Sequence, residues 1–354
     1  MMERRATLDD PAALAAGDPG GMLRLIARLG EQLRAGFELG ASNDALGGGE
    51  PGALAICGMG GSAIAGDLLR AVSTNRFRYP VLVLKGYGLP LFCDGRTTVV
   101  ALSYSGNTEE TIAAWTEAVD RGCRVVAISS GGSLAALARE GGHPHILLPQ
   151  DIPAPRAALG YLFGALLGCL NGGDRPPLDE ELNAASGVVD DLVIQLGPGV
   201  PTGDNEAKAV AYWLADRTPV IWGSEGIAEA ASIRWKTQLN ENAKVPAFHS
   251  SLPELDHNEV EGWSPGAGHR FAAVALRHAG EHPRISARLA ATIEAVSAAG
   301  LDVRQVVASG DTPLTALLSL IVIGDLTSAY LAILRDVDPT PVPVLSGLKE
   351  RLSR

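Results

Sequence analysis

Cysteine is scarce in this chain, and what there is forms no pair. Cys57, Cys93, Cys123 and Cys169 make no C-x-x-C motif and most sit among apolar neighbours. That argues against a disulfide framework or a thiolate metal site, and for buried, reduced thiols in a cytosolic protein. Positive charge is also short: 29 Lys and Arg against 40 Asp and Glu leave a net charge of −11. Such a chain is poorly suited to a general nucleic-acid or anionic-membrane surface, although one small anion can still be held in a local positive pocket. No stretch of about 18 apolar residues is free of charged or turn-forming residues, so no membrane span is expected. The first ten residues, Met1 to Asp10, contain no apolar signal core, so no export signal is expected either.

What is present is a large apolar fraction, 46% of 354 residues, with abundant Gly and Ala. That length suggests about two domains, and the composition supplies an ample core. Residues 1 to 45 read as a peripheral helical segment, with Leu23, Ile26, Leu29 and Leu33 at helical spacing and a loop from Gly47 to Gly52 after it. From Ala53 onward, short apolar strands alternate with helices. Strands are expected at 53–57, 80–84, 98–102, 124–128 and 145–148, and helices at 62–72, 108–119, 133–139 and 156–170. Asn171 to Pro177 is the best linker candidate.

After helices at 179–196 and 205–216, a second alternating series begins at Pro219. Its turn Ile221-Trp222-Gly223-Ser224-Glu225-Gly226-Ile227-Ala228 resembles Ile56-Cys57-Gly58-Met59-Gly60-Gly61-Ser62-Ala63. This reads as an internal duplication within an α/β fold. Each half would be a parallel sheet flanked by helices, doubly wound, with N-terminal and C-terminal helices added. The boundaries expected are 1–45, 46–172 and 173–354.

Two Gly/Ser-rich turns follow strands in the first half, where open α/β sheets bind ligands. Ser103-Tyr104-Ser105-Gly106-Asn107-Thr108 gathers three small hydroxyls, an amide and a glycine at a strand-to-helix turn. Unpaired N–H groups at a helix start, joined by hydroxyl donors, make a seat for a phosphate. The alternative is an ordinary helix cap. Gly58-Met59-Gly60-Gly61-Ser62 is no Walker loop, since no Gly-Lys-Ser/Thr follows. It is also a poor dinucleotide fingerprint, since Ala63 stands where the third glycine belongs.

The reactive side chains fall in the second half. Glu241, between Asn240 and Asn242 at a helix end, is a candidate general base or else a solvated carboxylate. His257, between Asp256 and Asn258, is a candidate acid or base near neutral pH, or part of a capping cluster. His249 and His257 lack metal-ligand spacing, so no metal is assigned. Arg156 is either an ion-pair partner or an anion clamp, and Lys349 reads from its context as a solvated helix residue.

Taken in order, Gly58 to Ser62, Ser103 to Thr111, Pro155-Arg156-Ala157-Ala158, Asn240-Glu241-Asn242-Ala243-Lys244 and Asp256-His257-Asn258-Glu259 resemble one family. It is the bifunctional phosphoglucose/phosphomannose isomerase family of the sugar isomerase (SIS) superfamily, and the resemblance covers about residues 50 to 354. It implies two SIS subdomains, a cytoplasmic homodimer, and isomerisation of glucose 6-phosphate, often mannose 6-phosphate too, with fructose 6-phosphate. It implies that Gly60, Gly61, Ser62, Ser103, Ser105 and Thr108 bind phosphate and that Glu241 moves a proton between C1 and C2 through an enediol. His257 would assist ring opening from across the dimer interface, Arg156 would stand near the enediolate, and Lys349 would lie near the site. No cofactor or metal is implied. Thr340 is a possible contributor to epimer choice. Two other readings exist: a sugar-phosphate-binding SIS regulator without catalysis, and amidotransferase-type hexosamine synthesis. The first is disfavoured by the lack of a helix-turn-helix or basic patch. The second needs a nucleophilic cysteine in a glutamine-cleaving domain, and no cysteine precedes Cys57.

Overall fold

The computed structural model describes residues 7–43, 49–171, 178–263 and 265–352. Part of the expected loop at 47–52 and all of the expected linker except Asn171 lie outside these residues. The chain divides into two compact units, Arg28–Asp190 with Ser309–Leu318, and Met1–Ala27 with Asp191–Ala308 and Ser319–Arg354.

In the unit built on Arg28–Asp190, the elements are α1 (Leu29–Ala41), β1 (Ala53–Gly58), α2 (Gly60–Ser73), β2 (Val81–Leu84), β3 (Thr97–Leu102), α3 (Glu109–Asp120), β4 (Arg124–Ser129), α4 (Gly132–Glu140), β5 (His145–Leu147) and α5 (Leu159–Cys169). The strands form one parallel sheet in the order β2-β1-β3-β4-β5. Ile56 of β1 lies opposite Val83 of β2 and Val100 of β3. Every residue of β1 and β3 is buried, as expected for central strands covered on both faces.

The segment before β1 is not peripheral. Leu29, Leu33 and Phe37 of α1 are buried. The reason is a glycine stripe: a Cβ on Gly164 of α5 would stand 2.3 Å from the Leu33 carbonyl oxygen, and one on Gly40 of α1 would stand 2.2 Å from that of Ala165. Only a pair of helices free of side chains at their seam can approach so closely. The first 45 residues also belong to two units, since residues up to Ala27 go with the second.

The second unit contains β6 (Thr218–Ser224), α6 (Ile227–Glu241), β7 (Phe248–Leu252), β8 (Phe271–Arg277), α7 (Pro283–Ala298), β9 (Asp302–Val307), most of α8 (Pro313–Leu334), and α9 (Pro343–Leu352). Its sheet is parallel, in the order β7-β6-β8-β9. Both sheets thus share one winding, with the first strand of each series between the second and third. α8 is long and apolar enough to cross a membrane by length and composition, yet its most apolar window is wholly buried. Its one charge, Asp325, is met inside the protein by Arg234 of α6, with Oδ1–Nε at 3.0 Å and Oδ2–Nη2 at 2.7 Å. All four cysteines are buried and free, and burial pushes the Cys57 and Cys169 thiols up to about 12.

Candidate active site

In the first sheet the chain leaves β1 and β3 in opposite directions, so a crevice opens outside their carboxyl ends. Met59 is extended and α2 begins at Gly60, in the left-handed region at φ +52. The first turn of α2 carries no acidic side chain. Its N–H groups therefore present partial positive charge without local competition. A Cβ on Gly61 would stand 2.9 Å from the Cα of Arg156. Glycine is what lets the single 3-10 turn Pro155–Ala158 lie against the start of α2, with Arg156 buried.

The turn after β3 does not use its threonine as a side-chain cap. Thr108 occupies the cap position of α3 but makes no capping bond. Its Oγ1 lies 2.9 Å from Ser103 Oγ instead. The Gly106 N–H donates to Ser103 Oγ at 3.1 Å, and the Tyr104 N–H donates to Ser62 Oγ at 3.2 Å, tying the two turns together. Ser62 and Ser103 are buried, Thr108 is half-buried and Ser105 is exposed. The other two polar residues of the turn support it from behind. Asn107 Oδ1 accepts from the Ser133 N–H at 2.9 Å and from its hydroxyl at 3.0 Å. The Tyr104 hydroxyl donates to the Pro149 carbonyl at 2.7 Å, and Ser130 Oγ donates to the Tyr104 carbonyl at 2.6 Å.

Gly106 sits at φ +70, and a Cβ there would overlap the Gly131 carbonyl oxygen at 1.7 Å. Gly106→Ala should therefore cost at least about 1–2 kcal/mol from the left-handed backbone alone. A lower urea midpoint, with a matching loss of affinity for a sugar 6-phosphate, is the expected result. An unchanged midpoint would contradict it.

In the second unit Glu241 is the last residue of α6. The backbone around it is pinned on three sides. Asn240 Nδ2 donates to the Val245 carbonyl at 2.8 Å, and the buried Asn242 Nδ2 donates to Ser328 Oγ at 2.9 Å. Lys244, at φ +54, donates from Nζ to the carbonyls of Glu241 at 2.8 Å and Asp338 at 2.9 Å. A cation on the carbonyl end of a helix is favourably placed. Glu241 opens on a mainly apolar groove of about 580 Å³ whose far wall is Val342 to Leu345 at the start of α9.

His257 ends a 3-10 turn, Glu254–His257, and its ring is exposed. Its neighbours serve the scaffold. Asp256 accepts from Thr292 Oγ1 at 2.7 Å and Arg288 Nη1 at 3.2 Å, while Asn258 Oδ1 accepts from the Glu259 N–H at 2.6 Å. Glu259 in turn accepts from Trp222 Nε1 at 3.0 Å and from the Ser250 hydroxyl, fixing the segment to the sheet.

Residues 203–352 match the family model described as the bacterial phospho-glucose isomerase C-terminal SIS domain. Over 337 residues the chain is 36% identical to a bifunctional phosphoglucose/phosphomannose isomerase from Caldicellulosiruptor bescii, covering 94% of this chain and 99% of that one. The chain belongs to the bifunctional phosphoglucose/phosphomannose isomerase family. Another member, from Aquifex aeolicus, is 33% identical over 303 residues, covering 85% of this chain and 90% of its own. The crystal structure of a hypothetical protein from Thermus thermophilus superimposes with a TM-score of 0.72 at 17% identity, covering 99% of this chain and 94% of that one. It shows the fold.

Within the first unit, then, Gly60, Gly61, Ser62, Ser103, Thr108 and Arg156 gather around the two turns at one crevice, with Ser105 on its exposed side. Within the second, Glu241 lines its groove, but His257 and Lys349 do not. Lys349 is exposed one turn beyond Leu345 on α9. Sequence reasoning gave no role to Lys244, although it stood inside the Asn-Glu-Asn-Ala-Lys motif. It also gave no role to Tyr104 and Asn107, which brace the turn.

Proposed function

We propose that this chain interconverts glucose 6-phosphate, and mannose 6-phosphate, with fructose 6-phosphate by proton transfer through an enediol. The observation that carries the reading is the pair of turns at the β1/β3 crevice, where Thr108 leaves its capping role open and meets Ser103, and Ser62 accepts from the Tyr104 N–H. Membership of the family supports the substrate class. The 6-phosphate rests on Ser62, Ser103, Ser105, Thr108 and the N–H groups at Gly60 and Gly61. Binding energy gained there, away from the reacting carbons, positions the sugar. Glu241 is the base that carries the proton between C1 and C2. A carbon acid next to a carbonyl also needs its developing oxyanion stabilised, a role for the Arg156 guanidinium. Lys349 adds a second cation. The buried reduced thiols suit a cytoplasmic enzyme.

His257 is exposed and absent from the groove of Glu241 in its own chain. We assign it to ring opening in the site of a second copy, within a homodimer. The test mixes two inactive variants, Glu241→Gln and His257→Ala, unfolds them together and refolds them. If each site draws the two residues from different copies, random pairing restores about a quarter of the parental sites. No recovery from the mixture would remove the shared site. The parent, assayed side by side with glucose 6-phosphate and mannose 6-phosphate, reports the epimer range. Binding of either without turnover would favour a non-catalytic regulator.

A further inference from the structure

The second sheet has its own crevice, which the reaction above leaves unused. In the order β7-β6-β8-β9 the chain departs from β6 and β8 in opposite directions, as it does from β1 and β3 in the first. Outside their carboxyl ends lies a cleft of about 390 Å³, lined by Ser224, Glu225, His278, Glu281, Arg284 and Arg288 among others. Ser224 is 5% exposed, and its hydroxyl has no hydrogen-bond partner. A buried hydroxyl left unmatched is destabilising, so such groups are kept where something meets them.

The charges around this hydroxyl favour an anion. Arg284 is exposed on the first turn of α7, a helix of 16 residues. His282 Nδ1 accepts from the Arg284 N–H at 3.1 Å, which leaves Nε2 as a donor. Arg288 reaches Asp256 at 3.2 Å with one nitrogen and keeps others. Of the two carboxylates, Glu281 is met by Arg277 Nε at 2.8 Å. Glu225 is exposed at the rim, where it can accept hydroxyl donors. Burial pushes His278 below the usual histidine value, so it is neutral near pH 7.

We propose that this cleft is a second ligand site, taking a hydroxylated phosphate monoester with its phosphoryl group on Ser224 and Arg284 and its hydroxyls on Glu225. The site is separate from the isomerase reading and stands without it.

The test is calorimetric titration of the full chain with glycerol 3-phosphate and with inorganic phosphate. It uses a Ser105→Asp background, in which an added carboxylate repels anions from the first crevice. One glycerol 3-phosphate should still bind per chain. Arg284→Glu, a change at an exposed position, should weaken it by about tenfold or more through reversed charge. Ser224→Asp should abolish it. Inorganic phosphate should bind more weakly than the ester, and equal affinity would overturn the assignment of Glu225. No binding in this background, or binding that both cleft variants leave unchanged, would overturn the site. If Ser105→Asp fails to reduce the sites counted in the parent, that failure falls on the first crevice and not on this one.

Discussion

Glu241→Gln should lower kcat for fructose 6-phosphate by about 10²–10⁴-fold, the usual contribution of a positioned general base. KM should change little, because the amide keeps the shape of the side chain and the phosphate is held elsewhere. The variant should fold normally, for other groups hold the end of α6. Asn240, Asn242 and Lys244 fix that turn through the Val245 carbonyl, the Ser328 hydroxyl and the Glu241 main-chain carbonyl. Two measurements check it: the coupled assay, and incorporation of solvent deuterium at C2 of the hexose phosphate. Both should fall together. Turnover equal to the parent's would remove Glu241 from the mechanism, and so would undiminished deuterium exchange.

The largest stability effect is expected at Arg234 and Asp325. Both side chains are almost wholly buried, at 1% and 5% exposure, and the guanidinium meets the carboxylate with two nitrogens. Removing one partner strands a charge in the core, so Asp325→Ala should cost about 3–5 kcal/mol. Arg234→Met should cost a similar amount. The double change to Met and Leu should recover most of the loss, because neither charge then remains to be desolvated. Trp222 and Trp235 are buried in the same unit and report its unfolding by fluorescence. Urea midpoints of the four proteins give the comparison. A single-variant loss below about 1 kcal/mol, the range of a surface pair, would show that the pair is not structural in this way. Arg234 lies two turns before Glu241 on α6, so the single variants should also lose activity.

The strand and helix pattern was legible because its causes are local. β1 and β3 are unbroken apolar runs ended by turn residues, and the structure places them at Ala53–Gly58 and Thr97–Leu102, close to the expected positions. The repeated Gly-rich turns after Ile56 and Ile221 pointed to two α/β halves, and two parallel sheets are found, whose strand order only the structure shows. The 1–45 segment was misjudged as peripheral because an apolar spacing says nothing about how near a second helix can come. That depends on Gly160, Gly164 and Gly168 of α5, more than a hundred residues away in sequence.

The site residues divide in the same way. Neighbouring residues alone were enough to show that hydroxyls and glycines cluster after β3, that Glu241 ends a helix and that His257 stands among polar neighbours. Folding was needed to turn Thr108 toward Ser103 and away from capping α3, to brace the turn through Asn107 and Tyr104 against Ser133 and Pro149, and to join the end of α6 to Asp338 through Lys244. Folding also buries the Ser224 hydroxyl beside a second crevice. Each of these depends on which distant groups meet a given hydrogen-bonding atom, and that pairing exists only once the chain has folded.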